Sequence, residues 1–171
     1  MKQFSDARPR LVLGKRAQQA LFTDISQRAQ IEACGILLGA MDADGNWWIE
    51  EARALTNTAD SPVYFEFDPA ELLEAELAYP GQIMGVYHSH PTGFPRASNT
   101  DRANMQRVNQ QEGIAWAWLI ISGPFDADFQ KRAHGTIATA PLIAYFHPDN
   151  HDLQRIPLIL SEDDAPLPPT K

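Results

Sequence analysis

The chain has a single cysteine, Cys34, among its 171 residues. One thiol cannot close an internal disulfide, and it excludes any zinc site built on several cysteines. A metal here must rest on histidine and carboxylate. Basic residues are also scarce: 14 Lys and Arg stand against 22 Asp and Glu, for a net charge of −8, and they form no cluster able to neutralise a phosphate backbone. That argues against nucleic acid as a partner. No run reaches the roughly 18 uninterrupted apolar residues of a membrane span, and the first ten residues lack the apolar core of a secretory signal. A soluble cytoplasmic protein with no membrane partner is the expectation. There is no internal repeat, and no shift in composition divides the chain, so one domain over residues 1–160 is expected. The acidic, proline-rich stretch 161–171 reads as a disordered, solvating tail.

What the chain does have is a series of short apolar runs. Leu11 to Gly14 reads as a first strand, and 15–30 as a helix with Ala17, Ala20, Leu21, Ile25 and Ala29 at helical spacing. Residues 31–39, apolar except for Glu32 and punctuated by glycine, read as a central strand, and Asp42 to Asn46 as the turn to a pairing strand over 47–55. Asn57 to Pro62 is loop. Val63 to Phe67 alternates well enough for a strand, after which Asp68 caps a helix with Pro69 in its first turn, running to about Tyr79. Beyond lie an apolar run at 81–90 and a helix over 98–111 with Ala103, Met105 and Val108 turned inward. A strand over 114–122 carries Trp116 and Trp118 on one face, and late strands fall in 133–146 and 156–160.

The run at 81–90 ends in Tyr87-His88-Ser89-His90-Pro91. Proline stops the ladder, and side chains two apart on a strand share a face with backbones about 6.5 Å apart, so His88 and His90 can converge on one ion. After a loop with Gly93 and Pro95, Ser98-x-x-Asp101 opens the next helix. Each half has a plainer reading: paired histidines occur in ordinary packing, and Ser98 with an acid at N3 is a capping box. Together they turn a carboxylate from a helix's first turn toward a strand end that bears two imidazoles. Two histidines and one carboxylate leave a tetrahedral zinc an open position for water, the catalytic rather than the structural arrangement. Elsewhere, Cys34 reads as a small buried hydrophobe, His147 and His151 as turn residues beside Pro148, and His134 as a solitary histidine.

His88-x-His90-Pro91, Ser98-x-x-Asp101 and the upstream Glu32, in Glu-x-Cys-Gly-Ile-Leu, together resemble the JAMM motif of the MPN-domain (JAB1/MPN/Mov34) zinc metalloproteases. They are similar in detail to the endosomal ubiquitin isopeptidases, and Phe65-Glu-Phe-Asp68-Pro69 resembles another stretch of that domain. The likeness spans roughly residues 10–130. It implies an α/β (α+β) fold class: an MPN/JAB domain, cytidine-deaminase-like, with a central mixed sheet flanked by helices. It also implies that His88, His90 and Asp101 bind one catalytic zinc, that Glu32 holds the attacking water and serves as general base, and that Ser98 steadies the developing oxyanion. The activity implied is that of a metallopeptidase or isopeptidase, with the C-terminal tail of a ubiquitin-like or sulfur-carrier protein as substrate and partner. The chain departs from larger members in lacking the Cys/His-rich insertion that holds a second, structural zinc. The alternative is a catalytically silent MPN-type scaffold that binds partner proteins, although such domains usually lack the ligand set that this chain keeps. A nucleoside deaminase needs paired cysteines or their equivalent, which one cysteine excludes. Oligomeric state is not legible.

Overall fold

The computed structural model describes residues 8–164. Its framework is one mixed sheet of eight strands, ordered β7-β6-β5-β4-β2-β3-β1-β8. In chain order these are β1 (Leu11–Leu13), β2 (Cys34–Met41), β3 (Trp47–Leu55), β4 (Ile83–His90), β5 (Ala117–Ser122), β6 (Leu142–Phe146), β7 (Gln154–Ile156) and β8 (Leu158–Leu160). Four helices flank it: α1 (Lys15–Gln27), α2 (Pro69–Ala78), α3 (Asn99–Gln106), which widens into a π turn over Arg107–Gln111, and α4 (Ala127–Ala133). The expected mixed sheet flanked by helices is therefore what the chain adopts. No helix among the described residues is long and apolar enough to cross a membrane.

The central strands are buried on both faces, which is why they read as nearly continuous apolar runs. Period-two alternation divides their side chains between two cores. Leu37, Tyr87, Leu119 and Ile121 pack with Leu21 and Ile25 of α1 and Phe129 of α4, while Ile36, Val86, Trp118 and Ile120 pack with Met105 of α3 and the neighbouring Val108. His88 and His90 continue the Val86 series and so emerge on the α3 face. β4 runs antiparallel to β2 and parallel to β5, which places its C-terminal end in the middle of the sheet.

Only Pro157 separates β7 from β8, yet these are the two edges of the sheet. The sheet must therefore curl until its edges meet. Trp47 of β3 and Phe146 of β6 touch edge to face, with ring centroids 5.1 Å apart, although three strands lie between them in the sheet order. The expected single strand over 156–160 is in fact these two. Pro157 divides them, and its carbonyl accepts from Leu11 N–H at 2.9 Å.

Other expectations are corrected by local hydrogen bonding. Val63 to Phe67 is not a strand. Val63 is 72 % exposed, and only an isolated bridge joins Phe67 to Asn57. Its backbone groups are taken by side chains instead: Asn57 Nδ2 donates to Tyr64 O, and Asn57 Oδ1 accepts from Glu66 N–H. The central strand begins at Cys34 rather than at 31, so Glu32 precedes it. The strand expected from 114 begins at Ala117 because Asn109 Nδ2 binds the carbonyls of both Ile114 and Trp116. Residues 133–141 hold the end of α4 and a 3₁₀ turn (Ile137–Thr139), leaving only β6 as strand in that stretch. Helix α4 was not expected; its signal is Asp126, whose carboxylate caps Phe129 N–H at 2.9 Å. Of the tail, Ser161 to Asp164 lie along the start of α1, where the carbonyls of Asp163 and Asp164 accept from the N–H groups of Lys15 and Arg16. Gly14 offers α1 no side-chain cap, so these carbonyls satisfy donors the helix start leaves open. Residues 165–171 lie outside the described residues.

Candidate metal centre

His88 and His90 leave the end of β4, and Asp101 occupies the third position of α3. The loop between them turns back at Gly93, whose φ of +91° falls where side chains other than glycine are strained. The resulting contacts are close and symmetric. His88 Nε2 lies 3.1 Å from His90 Nε2 and 3.2 Å from Asp101 Oδ1, while His90 Nε2 lies 3.2 Å from Asp101 Oδ2. These three residues are each 5 % exposed or less. Zinc ligands at about 2.0–2.1 Å in a tetrahedron stand roughly 3.3 Å apart, so the spacing fits one ion shared by the three. Among the described residues this is the group of His, Cys, Asp and Glu able to hold a metal.

The tautomer fits as well. His90 Nδ1 is 2.8 Å from Phe94 O, and a carbonyl can only accept, so Nδ1 carries the proton and Nε2 presents its lone pair to the cluster. Ser122 Oγ donates to the same carbonyl at 3.0 Å and fixes it. Phe65 stacks on the His88 ring at 4.6 Å, and His88 Nδ1 is buried with no hydrogen-bond partner among the described residues.

Capping and clustering are one arrangement in this site. Ser98 Oγ accepts from Asp101 N–H at 3.1 Å, and Asp101 Oδ2 accepts from Ser98 N–H at 2.9 Å, a complete capping box. The box that starts α3 also aims the Asp101 carboxylate at the imidazoles. Burial alone would push that carboxyl up, but its bonds to His88, His90 and Ser98 N–H hold it far below the usual range. His88, wholly enclosed, is pushed down by burial in spite of Asp101. For His90 burial acts the same way, but the bonds to Asp101 and to Phe94 O prevail and raise it.

Glu32 comes from the link between α1 and β2, and its Oε1 lies 3.8 Å from His90 Nε2. Only 4 % exposed, its carboxyl is pushed up to about 8 by burial, with His90 opposing the shift and Asp101 adding to it. A small hollow lined by Glu32, Tyr64, Phe65, Ser98 and Asp101 opens the site to solvent. All five residues singled out in the sequence thus meet at one place. A roomier cleft of about 910 Å³, lined by Arg102, His147 and His151 among others, contains none of them.

Cys34 is buried, its Sγ 3.7 Å from Leu55 O and its thiol pushed up to about 12 by burial, as suits an inert packing residue. Three contributors escaped the sequence reading. Asn57 and Ser89 hold the Glu32 segment, and Phe65 walls His88. Ser89, between the two histidines, could have been found from its position; Asn57 reads as an ordinary turn residue.

A curled mixed α/β sheet with a two-histidine, one-aspartate donor set at a central strand end is the architecture of a JAB/MPN-type domain. The chain belongs to the prokaryotic homologs of the JAB domain, a family it matches over residues 14–133, which include Glu32, His88, His90, Ser98 and Asp101. It is 28% identical over 119 residues to the desampylase of Pyrococcus furiosus, covering 64% of this chain and 81% of that protein. With the desampylase of Haloferax volcanii it shares 40% identity over 75 residues, 42% of this chain and 52% of that protein, so that match spans about half of the relative. The solution structure of a protein from Desulfitobacterium hafniense has the same fold, with a TM-score of 0.65 at 24% identity, over 90% of this chain and 94% of that one.

Proposed function

We propose that the chain is a zinc-dependent hydrolase of the JAMM type that cuts an amide bond at the C-terminal tail of a ubiquitin-like or sulfur-carrier protein. The observation that carries this reading is the meeting of three ligand-type residues through contacts of 3.1–3.2 Å, with a buried glutamate carboxylate 3.8 Å from His90 Nε2. Relatives named desampylases support the hydrolytic class and a protein conjugate as substrate. A silent scaffold has no need of a desolvated carboxylate beside the donor set.

His88, His90 and Asp101 would hold the zinc, whose chemistry when bound is to lower the pKa of water toward 7 and to polarise a carbonyl. Glu32 is the proton carrier. Buried 3.8 Å from His90 Nε2, its carboxylate would take a proton from the attacking water and pass it, from the same carboxyl, to the leaving amine nitrogen. Ser98 can serve both roles proposed for it: Oγ accepts from Asp101 N–H, which leaves its own O–H free to donate to the carbonyl oxygen as negative charge develops there. Phe65 and Tyr64 line one side of the hollow. An extended tail would reach it past the 92–97 loop, where Phe94 is 42 % exposed.

The test is to incubate zinc-loaded protein with ubiquitin-like and sulfur-carrier proteins bearing amide-linked C-terminal extensions and to read the products by mass. Cleavage after the carrier tail that a chelator stops and zinc restores is the expected result. Intact substrates throughout, with zinc bound, would contradict the reading.

A further inference from the structure

Glu32 stands in no helix or strand, so its direction is not set by any regular element. It depends on how one short peptide segment is held. Glu32 N–H donates to Ser61 O at 2.8 Å, and Glu32 O accepts from Asn57 Nδ2 at 3.0 Å. The next residue is fixed too: Ala33 N–H donates to Ser89 Oγ, and Ala33 O accepts from Ser89 N–H, both at 2.8 Å. Ser89 stands between two proposed ligands, so any change there disturbs the histidines as well. Asn57 is the separable half of the clamp.

Asn57 is 5 % exposed and uses its whole amide. Oδ1 accepts from Ala59 N–H at 3.0 Å and from Glu66 N–H at 3.2 Å, and Nδ2 donates to Glu32 O and, at 2.9 Å, to Tyr64 O. The turn at Asn57 needs only the oxygen, which Asp or Ser also supply. The NH₂ group has a different use. It ties the carbonyl of Glu32 to the segment on which Phe65 stacks over His88. Burying an amide is costly unless all its groups are paired, and here the donor half is paired with the base's own peptide.

We infer that Asn57 is a positioning residue of the reaction: its amide locks the Glu32 peptide and the Tyr64–Glu66 wall into one rigid unit, so that the Glu32 carboxylate faces the donor cluster. This rests on the hydrolase reading above. Asn57 touches neither substrate nor the ligand atoms and acts through Glu32.

Asn57→Asp tests it, because the shape and the turn-forming oxygen are kept while the donor half becomes an oxygen facing two carbonyls. Asn57→Ser, which keeps a turn acceptor without charge and cannot span to Glu32, serves if the Asp variant does not fold. For each, zinc stoichiometry, kcat and KM would be measured well below the melting temperature, with amide hydrogen exchange at Glu32 read by NMR in the zinc-loaded protein. The inference expects zinc content unchanged, kcat lower by about 10²-fold, since a misplacement near 1 Å costs about that much, and Glu32 exchange at least roughly tenfold faster. It also expects the kcat loss to shrink to about threefold or less in a Glu32→Asp background, where the base is already displaced. A lower melting temperature with kcat and Glu32 exchange unchanged would reduce Asn57 to a turn residue. Loss of zinc would show that it acts through the ligands, and equal losses in both backgrounds that it does not act through Glu32; either overturns the inference. If wild-type protein hydrolyses no amide, the hydrolase reading fails, and the exchange measurement alone then decides whether Asn57 holds Glu32.

Discussion

At the scale of single residues, the proposed function gives Ser98 two jobs, and substitutions can separate them. Ser98→Ala removes both a helix cap and a hydroxyl donor. Stability should fall by about 1 kcal/mol and turnover by about 10²–10³-fold. Ser98→Asn restores a good cap without a hydroxyl, so melting should recover while turnover does not, as thermal melts beside kinetics would reveal. Glu32 gives a pH signature in metal-stripped protein. Its folded carboxyl titrates at about 8 against an ordinary 4.5, so the folded state holds a proton that the unfolded chain has lost. That contribution is complete below pH 4.5 and disappears as pH rises through 8. Stripped wild type should therefore lose stability relative to Glu32→Gln across this window, and parallel pH–stability curves for the two proteins would contradict the assignment. Phe94→Ala should raise KM for a tailed substrate with kcat little changed. Unaltered kinetics would remove that loop from the substrate path.

At the scale of elements, α1 is joined to the site strands by one buried network. Tyr87 OH donates to Asp24 Oδ2 at 2.7 Å, and Arg28 grips both oxygens of the same carboxylate at 2.6 and 2.7 Å. The guanidinium also donates to Leu55 O and Cys34 O, so the end of α1 is tied to the ends of β3 and β2, four residues before Glu32. The Tyr87 ring reaches Asp24 only because Gly35 has no side chain: a Cβ there would lie 2.6 Å from the ring and 2.1 Å from Arg53 O. Asp24→Ala, which strands a partly buried guanidinium and a buried phenol, should cost about 3 kcal/mol in chemical denaturation, and Tyr87→Phe about 1 kcal/mol. Most of the elements were legible because their signals are local. Asp68 before Pro69 does cap α2, Ser98 does cap α3, and the apolar runs of β2, β4 and β5 are the central strands. Val63 to Phe67 misled because alternation marks a strand only when a neighbour supplies a ladder, and here Asn57 and Thr58 took those bonds.

At the scale of the molecule, the sheet decides which distant residues meet. Pairing of β2 with β4 sets Cys34 opposite His88 and so carries Glu32 across 56 residues of sequence to the histidines. The ligand-type residues were legible from spacing, since the strand period and the first turn of a helix fix where His88, His90 and Asp101 point. Glu32 was legible only through resemblance, because nothing in a sequence states which strands are neighbours. The closure of the sheet at Pro157 and the role of Asn57 were not legible at all, as both depend on contacts made after the chain has folded. On the proposed function, this topology brings a proton-carrying carboxylate, itself no ligand, to a metal held by three other residues. Glu32→Gln tests it most directly, with zinc content measured beside turnover of an amide-linked carrier conjugate. Wild-type zinc stoichiometry with turnover lost by several orders of magnitude is the expected result; loss of zinc, or turnover near that of wild type, would contradict it.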